Sequence, residues 1–204
     1  MNEPADDTTS REYARRLDTL QTARWKRALD VQRPYRWNLR RMDLGRTLDI
    51  GCGIGRNLAN LPPGSVGVDH NETSIQIARS RGLDAYTDVE FGARETGAME
   101  FDSMLLAHVL EHMERDQGVA LLRDYLPHVR RRVAVICPQE RGYASDRTHV
   151  TFLEGPEIAA MLTEVGLEVR RVSSFPLPRR LGKVFTYNET VVLADRPGSR
   201  PGAT

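Results

Sequence analysis

The chain has 204 residues, enough for one domain of ordinary size that buries its own hydrophobic core. Lysine and arginine number 29 and aspartate and glutamate 28, so the net charge of +1 gives no long-range field to attract nucleic acid or an anionic membrane. No apolar run approaches the roughly 20 residues of a spanning helix, and the polar N-terminus is unlike a secretory signal. Cys52 and Cys137 form no CxxC pair, which is typical of reduced thiols in a cytoplasmic protein.

The ends of the chain differ in composition from its middle. We expect residues 1–10 and 196–204 to be disordered, because they are polar or rich in Pro, Gly and Arg. Residues 11–42 are charged and helix-prone, and Pro34 is expected to divide them into helices that cover the site as a lid.

Short apolar runs alternate with helical patterns from residue 45 onward. Helices are predicted at 56–61, 73–81, 115–126 and 156–165, and strands at 46–50, 65–69, 83–87, 101–107, 131–137, 167–174 and 185–194. The alternation predicts an α/β fold with a doubly wound, Rossmann-like and mostly parallel seven-stranded sheet. No helix separates the last two strands, so one antiparallel strand is expected near the end of the sheet.

The first predicted strand leads into a glycine-rich loop that has an acid before it. Asp49, Gly51, Gly53 and Gly55 follow the spacing acid-x-Gly-x-Gly-x-Gly. Glycines let the backbone turn sharply and approach a ligand closely, and the next helix N-terminus offers free N–H groups to a carboxylate. Asp49 can bind a cationic amine beside that turn. An amine and a carboxylate together describe the amino-acid end of S-adenosylmethionine.

Two further strands are followed by acids that suit a nucleoside. The carboxylate of Asp69 can accept both hydroxyls of a ribose. Asp88 can accept an adenine amino group while the Val89 amide meets a ring nitrogen; a solvated loop acid is the alternative for Asp88. A nicotinamide oxidoreductase stays open as a rival, but its G-x-G-x-x-G fingerprint and a Tyr-x-x-x-Lys proton donor are lacking.

Asp49 to Gly55, Asp69, Asp88 and the run FDSMLLAHVLEH at 101–112 together resemble class I S-adenosylmethionine-dependent methyltransferases, most closely the UbiE-like small-molecule group (methyltransferase type 11). The resemblance is good over residues 45–138 and looser beyond them. It implies S-adenosylmethionine as cofactor, S-adenosylhomocysteine as product and one methyltransferase domain over residues 11–195.

The resemblance also implies which residues hold the cofactor. They are Asp49, Gly51, Cys52, Gly53, Gly55, Asn57, Asp69, His70, Asp88, Val89, Ala107 and His108, with Tyr35 reaching the cofactor carboxylate. His70 departs from the apolar residue usual in that family, and its imidazole can stack on adenine instead. A packed amphipathic lid is the alternative for Tyr35.

His108, Glu111 and His112 match the H-x-x-E-H pattern, in which two histidines on a helix share a zinc ion. Because this run directly follows an apolar strand, we expect no metal. His108 then lies near the sulfonium and is a candidate catalytic residue. His112 is a candidate substrate contact, with local polar packing as the alternative for Glu111 and His112.

The methyl acceptor is expected at the long polar loop 137–152. A hydroxyl acceptor benefits from a base with a pKa near neutrality, which points to histidine. We predict His149 as the base or a substrate contact, Asp146 as the group that orients it and Tyr143 as a wall of the pocket. An ordered turn is the alternative for His149. The basic run 178–183 is either a solvated loop or a contact for an anionic acceptor.

The predicted function is methyl transfer to a small molecule, most simply to a hydroxyl oxygen. An N-methyltransferase and a non-catalytic cofactor-binding or regulatory module are the alternatives. No nucleic acid or membrane partner is expected, and a homodimer is left open.

Overall fold

The computed structural model describes residues 33–94 and 100–199. The predicted disordered segment 1–10 and most of the predicted lid therefore lie outside the described residues. The part of the lid that is described forms helix α1 (Arg33–Arg41), with Pro34 in its first turn as the sequence suggested. Within the predicted tail, Arg196 is held by a backbone bond to the Arg131 carbonyl.

Six helices can be assigned in the described residues, with short 3₁₀ turns between some of them. The helices are α1, α2 (Glu72–Ser80), α3 (Asp88–Ala93), α4 (Arg115–Tyr125), α5 (Glu140–Tyr143) and α6 (Gly155–Glu164), and 3₁₀ turns occupy Leu58–Asn60, Leu110–His112, Leu126–His128 and Arg179–Lys183. None of the helices in this part of the chain is long and apolar enough to cross a bilayer.

Seven strands form one sheet in the order β3-β2-β1-β4-β5-β7-β6. The strands are β1 (Thr47–Ile50), β2 (Val66–Asp69), β3 (Ala85–Thr87), β4 (Phe101–Ala107), β5 (Val129–Pro138), β6 (Glu168–Phe175) and β7 (Glu189–Asp195). Strand β7 is antiparallel to both of its neighbours, and the other pairs are parallel. The predicted seven-stranded α/β sheet with one antiparallel strand near its end is confirmed.

Each face of the sheet buries its own hydrophobic cluster, because side chains alternate along a strand. Leu48, Ile50 and Leu106 belong to the larger cluster, which α4 and α6 cover. Leu105 and Ala107 belong to a second cluster, which includes Leu39, Met42 and Leu44 from α1 and the segment after it. Asp49 is paired in register with Leu105 and so points to this second face, where it is the charged member of an otherwise apolar row.

Several predicted element boundaries are wrong, each for a local reason. The predicted helix 56–61 is only the 3₁₀ turn Leu58–Asn60, since Pro62 and Pro63 follow at once. Helix α3 replaces the predicted loop after β3, because Thr87 and Glu90 form a capping box that starts a helix. Helix α5 was missed inside the predicted loop 137–152, where it is a single turn.

The last strand begins at Glu189 rather than at 185, because Asn188 makes a buried turn. Its Nδ2 donates to Gln139 Oε1 at 2.8 Å and to Ser174 Oγ at 3.0 Å, and its Oδ1 accepts from the Leu177 amide at 2.9 Å. The polar network joins the end of β5 to the β6–β7 connection. It therefore also anchors the first residues of the predicted acceptor loop.

We expect Asn188→Ala to lower the free energy of unfolding by about 2–4 kcal/mol, because it leaves several buried polar groups without partners. Denaturant unfolding measures the change. Asn60→Ala is the matched control, since Asn60 makes one exposed bond to the Arg56 carbonyl. A loss no larger than that of Asn60→Ala would contradict the structural role of the network.

Candidate cofactor and acceptor site

The candidate site lies at the carboxyl ends of β1, β2 and β4. The chain runs from β1 outward to β2 and β3, then returns to β4 on the other side of β1. In open α/β sheets, ligands bind at such a switch point, outside the carboxyl ends of the strands. The glycine loop follows β1, Asp69 ends β2 and Ala107 ends β4, so the topology brings three predicted parts of the cofactor site to one edge.

The glycine loop depends on a left-handed backbone at Gly51, Gly53 and Gly55, which have φ values of +67°, +54° and +81°. A Cβ at Gly51 would lie 2.4 Å from Val109 Cγ2, whereas one at Gly53 would meet nothing within 4 Å. Gly51 is therefore needed for space as well as for conformation, and Gly53 for conformation alone. None of the described residues crowds the loop at Gly53.

Asp49 is buried, and its Oδ2 has no hydrogen-bond partner. Burial raises the pKa of its carboxyl to about 8, the Asp69 charge adds to the rise, and the Leu58 amide opposes it. A buried, unpartnered carboxylate is costly unless a donor or cation reaches it. The site therefore fits a ligand that carries an amine beside the glycine loop.

Asp69 ends β2 with its carboxylate held by the backbone. Its Oδ2 accepts from the Gly53 amide and its Oδ1 from the Asn71 amide, each at 2.8 Å. The bonds tie β2 to the glycine loop and leave further lone pairs for two hydroxyls of a ribose. His70 follows with a half-exposed side chain whose Nδ1 is 3.7 Å from Asp69 Oδ1.

The predicted adenine contacts, Asp88 and Val89, lie in the first turn of α3 and not in a loop. Asp88 Oδ1 accepts from the Val89 amide at 2.9 Å, and the Val89 side chain is among the most exposed apolar groups described. An apolar side chain exposed at the edge of the site is suited to cover a flat ring. The adenine assignment itself stays a prediction.

Tyr35 joins α1 to the segment before β7. Its hydroxyl donates to the Tyr187 carbonyl at 2.6 Å, and its ring packs edge-on against Phe175. Burial raises the pKa of Tyr35, the Glu189 charge adds to this, and Arg56 near the glycine loop lowers it. The structure thus places Tyr35 within electrostatic range of the loop, while its proton is committed to Tyr187.

His108 stands directly after β4 in the left-handed conformation, with φ +61°. Its Nε2 lies 2.9 Å from Glu189 Oε1, and its Nδ1 is 3.3 Å from Glu111 Oε1. Burial opposes the charge on the ring, but the bonds to Glu111 and Glu189 outweigh it and raise the pKa of His108 to about 10. His108 is therefore a cation that donates from both nitrogens, and it is unsuited to accept a proton.

The predicted acceptor residues surround a pair of histidine rings. His112 and His149 have ring centroids 4.8 Å apart, and Tyr143 stacks on His149 at 5.2 Å. The Glu111 carbonyl accepts from the Val150 and Thr151 amides, which holds the loop against the turn after β4. The sequence motif pairs His108 with His112, but the two histidine rings that meet here are those of His112 and His149, tilted at 58°, because His108 turns toward Glu189.

Asp146 acts on this pair through Thr148. Asp146 Oδ1 accepts from both the amide and the hydroxyl of Thr148, at 3.0 and 2.8 Å. Thr148 in turn lies against His112 Nδ1, through its carbonyl at 3.2 Å and its hydroxyl oxygen at 3.1 Å. Asp146 therefore positions His112 through Thr148, whereas the prediction was that it orients His149.

Two functional candidates were missed in the sequence. Glu189 reaches His108 from 81 residues away, and no local pattern signals that contact. Thr148 has no motif of its own.

The basic run 178–183 is partly explained by ion pairs within the protein, since Arg179 pairs with Glu140 and Glu154, each at 2.7 Å.

Solved proteins that share this fold include S-adenosylmethionine-dependent methyltransferases. A Haloferax volcanii methyltransferase, solved in complex with the Trm112 methyltransferase activator, is 15% identical over 97% of this chain and 99% of its own, with a TM-score of 0.69. Magnesium protoporphyrin IX methyltransferase from Synechocystis PCC 6803, solved with bound S-adenosylhomocysteine, is 15% identical over 94% and 97%, with a TM-score of 0.62. The chain has the class I methyltransferase fold.

Residues 48–126 match the model of a methyltransferase domain family. A curated relative, ubiquinone biosynthesis O-methyltransferase of Chelativorans sp., is 34% identical over 76 residues, or 33% of this chain. The match spans 30% of the length of that relative.

Proposed function

We propose that the chain is an S-adenosylmethionine-dependent methyltransferase that methylates a small molecule, with a hydroxyl oxygen as the acceptor. The observation that carries the proposal is Asp49, a buried carboxyl whose Oδ2 has no partner at the edge of a left-handed glycine loop. An amine of the cofactor would complete this site. Neither a ribose nor a pyrophosphate supplies a cation at that point.

The other cofactor contacts follow from the same edge of the sheet. The glycine loop would bind the cofactor carboxylate, Asp69 the ribose, and Asp88 with Val89 the adenine. His70 would stack on the ring, and Ala107 with His108 would line the methionine part. When bound, the cofactor supplies an electrophilic methyl group on a sulfonium, and the protein supplies alignment.

His112 and His149, rather than His108, would accept the proton of the acceptor. His108 is held as a cation, whereas His149 Nδ1 donates to the Tyr143 carbonyl at 2.7 Å and leaves Nε2 with a lone pair. Tyr143 stacks on His149 and would form a wall of the acceptor pocket. A group that can accept a proton favours a hydroxyl acceptor, and the name of the curated relative points the same way.

A cytoplasmic setting is part of the proposal. Cys52 and Cys137 are free and buried. Burial raises the pKa of both thiols and keeps them protonated and poorly reactive. Reduced, inert thiols are typical of a reducing compartment.

Transfer of a labelled methyl group from S-adenosylmethionine to a panel of phenols, sugars and amines tests the proposal. We expect label on a hydroxyl compound, little on amines, and loss of transfer in Asp49→Asn. Asp116→Asn is the control, because its side chain is 98% exposed and none of the proposed contacts includes it. Cofactor binding without transfer to any acceptor would instead favour a non-catalytic module.

A further inference from the structure

Glu111 is an unusual carboxylate for a residue next to a proposed acceptor site. The residue is only 1% exposed; its Oε1 has an ion-pair contact with His108 Nδ1 at 3.3 Å, and its Oε2 has no hydrogen-bond partner among the described residues. One ligand atom from each of Glu111, His112 and His149 lies within 4.8 Å of the others. A buried carboxylate oxygen without a hydrogen bond is costly, and a bound cation is one arrangement that offsets the cost.

Hydrogen bonds fix the tautomers of both histidines. The Thr148 hydroxyl donates its proton to Asp146, so its oxygen and the Thr148 carbonyl both face His112 Nδ1 as acceptors. His112 Nδ1 must then carry the proton, and Nε2 carries the lone pair. The same holds for His149, whose Nδ1 donates to the Tyr143 carbonyl.

Metal-binding histidines are held in this way: one ring nitrogen donates to a carbonyl or carboxylate, and the other binds the ion. We propose that Glu111, His112 and His149 bind a divalent transition cation, of which Zn²⁺ is the simplest probe. Two neutral imidazoles and one carboxylate are a common ligand set for such ions, and they leave a position open. The ligand atoms of a tetrahedral Zn²⁺ site are about 3.4 Å apart, so small side-chain rotations would close the group.

The proposed site replaces the expectation that no metal binds. It also differs from the H-x-x-E-H pattern, in which His108 and His112 share the ion. His108 is engaged by Glu189 at 2.9 Å and is not a ligand here. Its Nδ1 lies 3.3 Å from Glu111 Oε1, so His108 would compete with a bound cation for that carboxylate. Metal binding itself does not depend on the proposed function. If both hold, the Nε2 lone pairs of His112 and His149 would bind the cation, and the cation would replace them as the aid to proton loss by lowering the pKa of an acceptor hydroxyl at its open position.

Direct titration of chelator-treated protein tests the site. We expect one equivalent of Co²⁺ to give the visible absorption of a site with nitrogen and oxygen ligands, and one equivalent of Zn²⁺ to displace it. Affinity should fall at least about 100-fold in His112→Ala, His149→Ala and Glu111→Gln, each of which removes a ligand. It should be retained or increased in His108→Asn, which removes the competing cation. His70→Ala, which removes a half-exposed histidine, is the control and should bind like the wild type.

Wild-type protein that takes up no stoichiometric Co²⁺ or Zn²⁺ would overturn the proposal, and this result needs no variant. Unchanged affinity in both His112→Ala and His149→Ala, or loss of binding in His108→Asn, would also overturn it. Denaturant unfolding of each variant reports whether the fold is intact. Metal uptake without any cofactor binding would reject the proposed function and leave the metal site standing.

Discussion

Asp49→Asn is expected to weaken binding of S-adenosylhomocysteine by about 100-fold, which corresponds to about 2.7 kcal/mol. The substitution keeps the shape of the side chain and removes the buried charge that would pair with the cofactor amine. Isothermal titration calorimetry measures the affinity. The comparison ligand is 5′-methylthioadenosine, which lacks the amino-acid end. The affinity for 5′-methylthioadenosine should hardly change.

The same substitution is expected to stabilise the ligand-free protein. The pKa of Asp49 is raised from 3.8 to about 8 in the fold, so the folded state binds a proton that the unfolded chain releases. Stability contributed by this group is therefore lost as pH rises from about 4 to about 8, and is constant outside that window. Relative to Asp49→Asn, the wild type should lose about 5–6 kcal/mol between these limits.

Asp116→Asn is the control for both measurements, as an exposed acid of the same kind. If the free energy of unfolding varies with pH in the same way for the wild type and Asp49→Asn, the pKa of Asp49 is not raised in the folded protein. Equal losses for the two ligands would show that Asp49 does not face the amine.

Asp69→Ala should weaken S-adenosylhomocysteine and 5′-methylthioadenosine by the same factor, about 100-fold. Both ligands have the ribose that Asp69 is placed to accept, and a bidentate charged acceptor accounts for a loss of this size. The Gly53 and Asn71 amides also lose their acceptor, so the glycine loop should become less ordered.

Calorimetry with both ligands on both variants gives a simple pattern. Asp49→Asn should lower the affinity for S-adenosylhomocysteine alone, toward that for 5′-methylthioadenosine. Asp69→Ala should lower both affinities by the same factor. A selective loss of only one ligand in Asp69→Ala would contradict the ribose assignment. Asp84→Asn, a surface acid just before β3, serves as a second control.

Much of the sheet is readable from the sequence because its strands are nearly all apolar. Strand β4 was predicted to the residue, since Phe101 to Ala107 forms an apolar run that is polar only at Asp102 and Ser103. The antiparallel end followed from the absence of a helix between the last two strands. Helix α3 was missed although its capping signal, Thr87 with Glu90, is present in the sequence.

The contacts within the site were less accessible, because they depend on pairing between distant segments. His108 was chosen as a candidate, yet its charge state is set by Glu189, which reaches it only when β7 pairs with β5. His112 and His149 were both chosen, but the contact between their rings depends on the Glu111 carbonyl, which holds the loop. Sequence patterns identify the chemistry-bearing residues here, while the fold determines which of them meet.

Titration of the wild-type protein with S-adenosylhomocysteine tests the central claim most directly. The account predicts one binding site per chain with a micromolar dissociation constant, in line with typical enzyme affinities. An absence of heat with both S-adenosylhomocysteine and S-adenosylmethionine, or a preference for NAD over either, would contradict it.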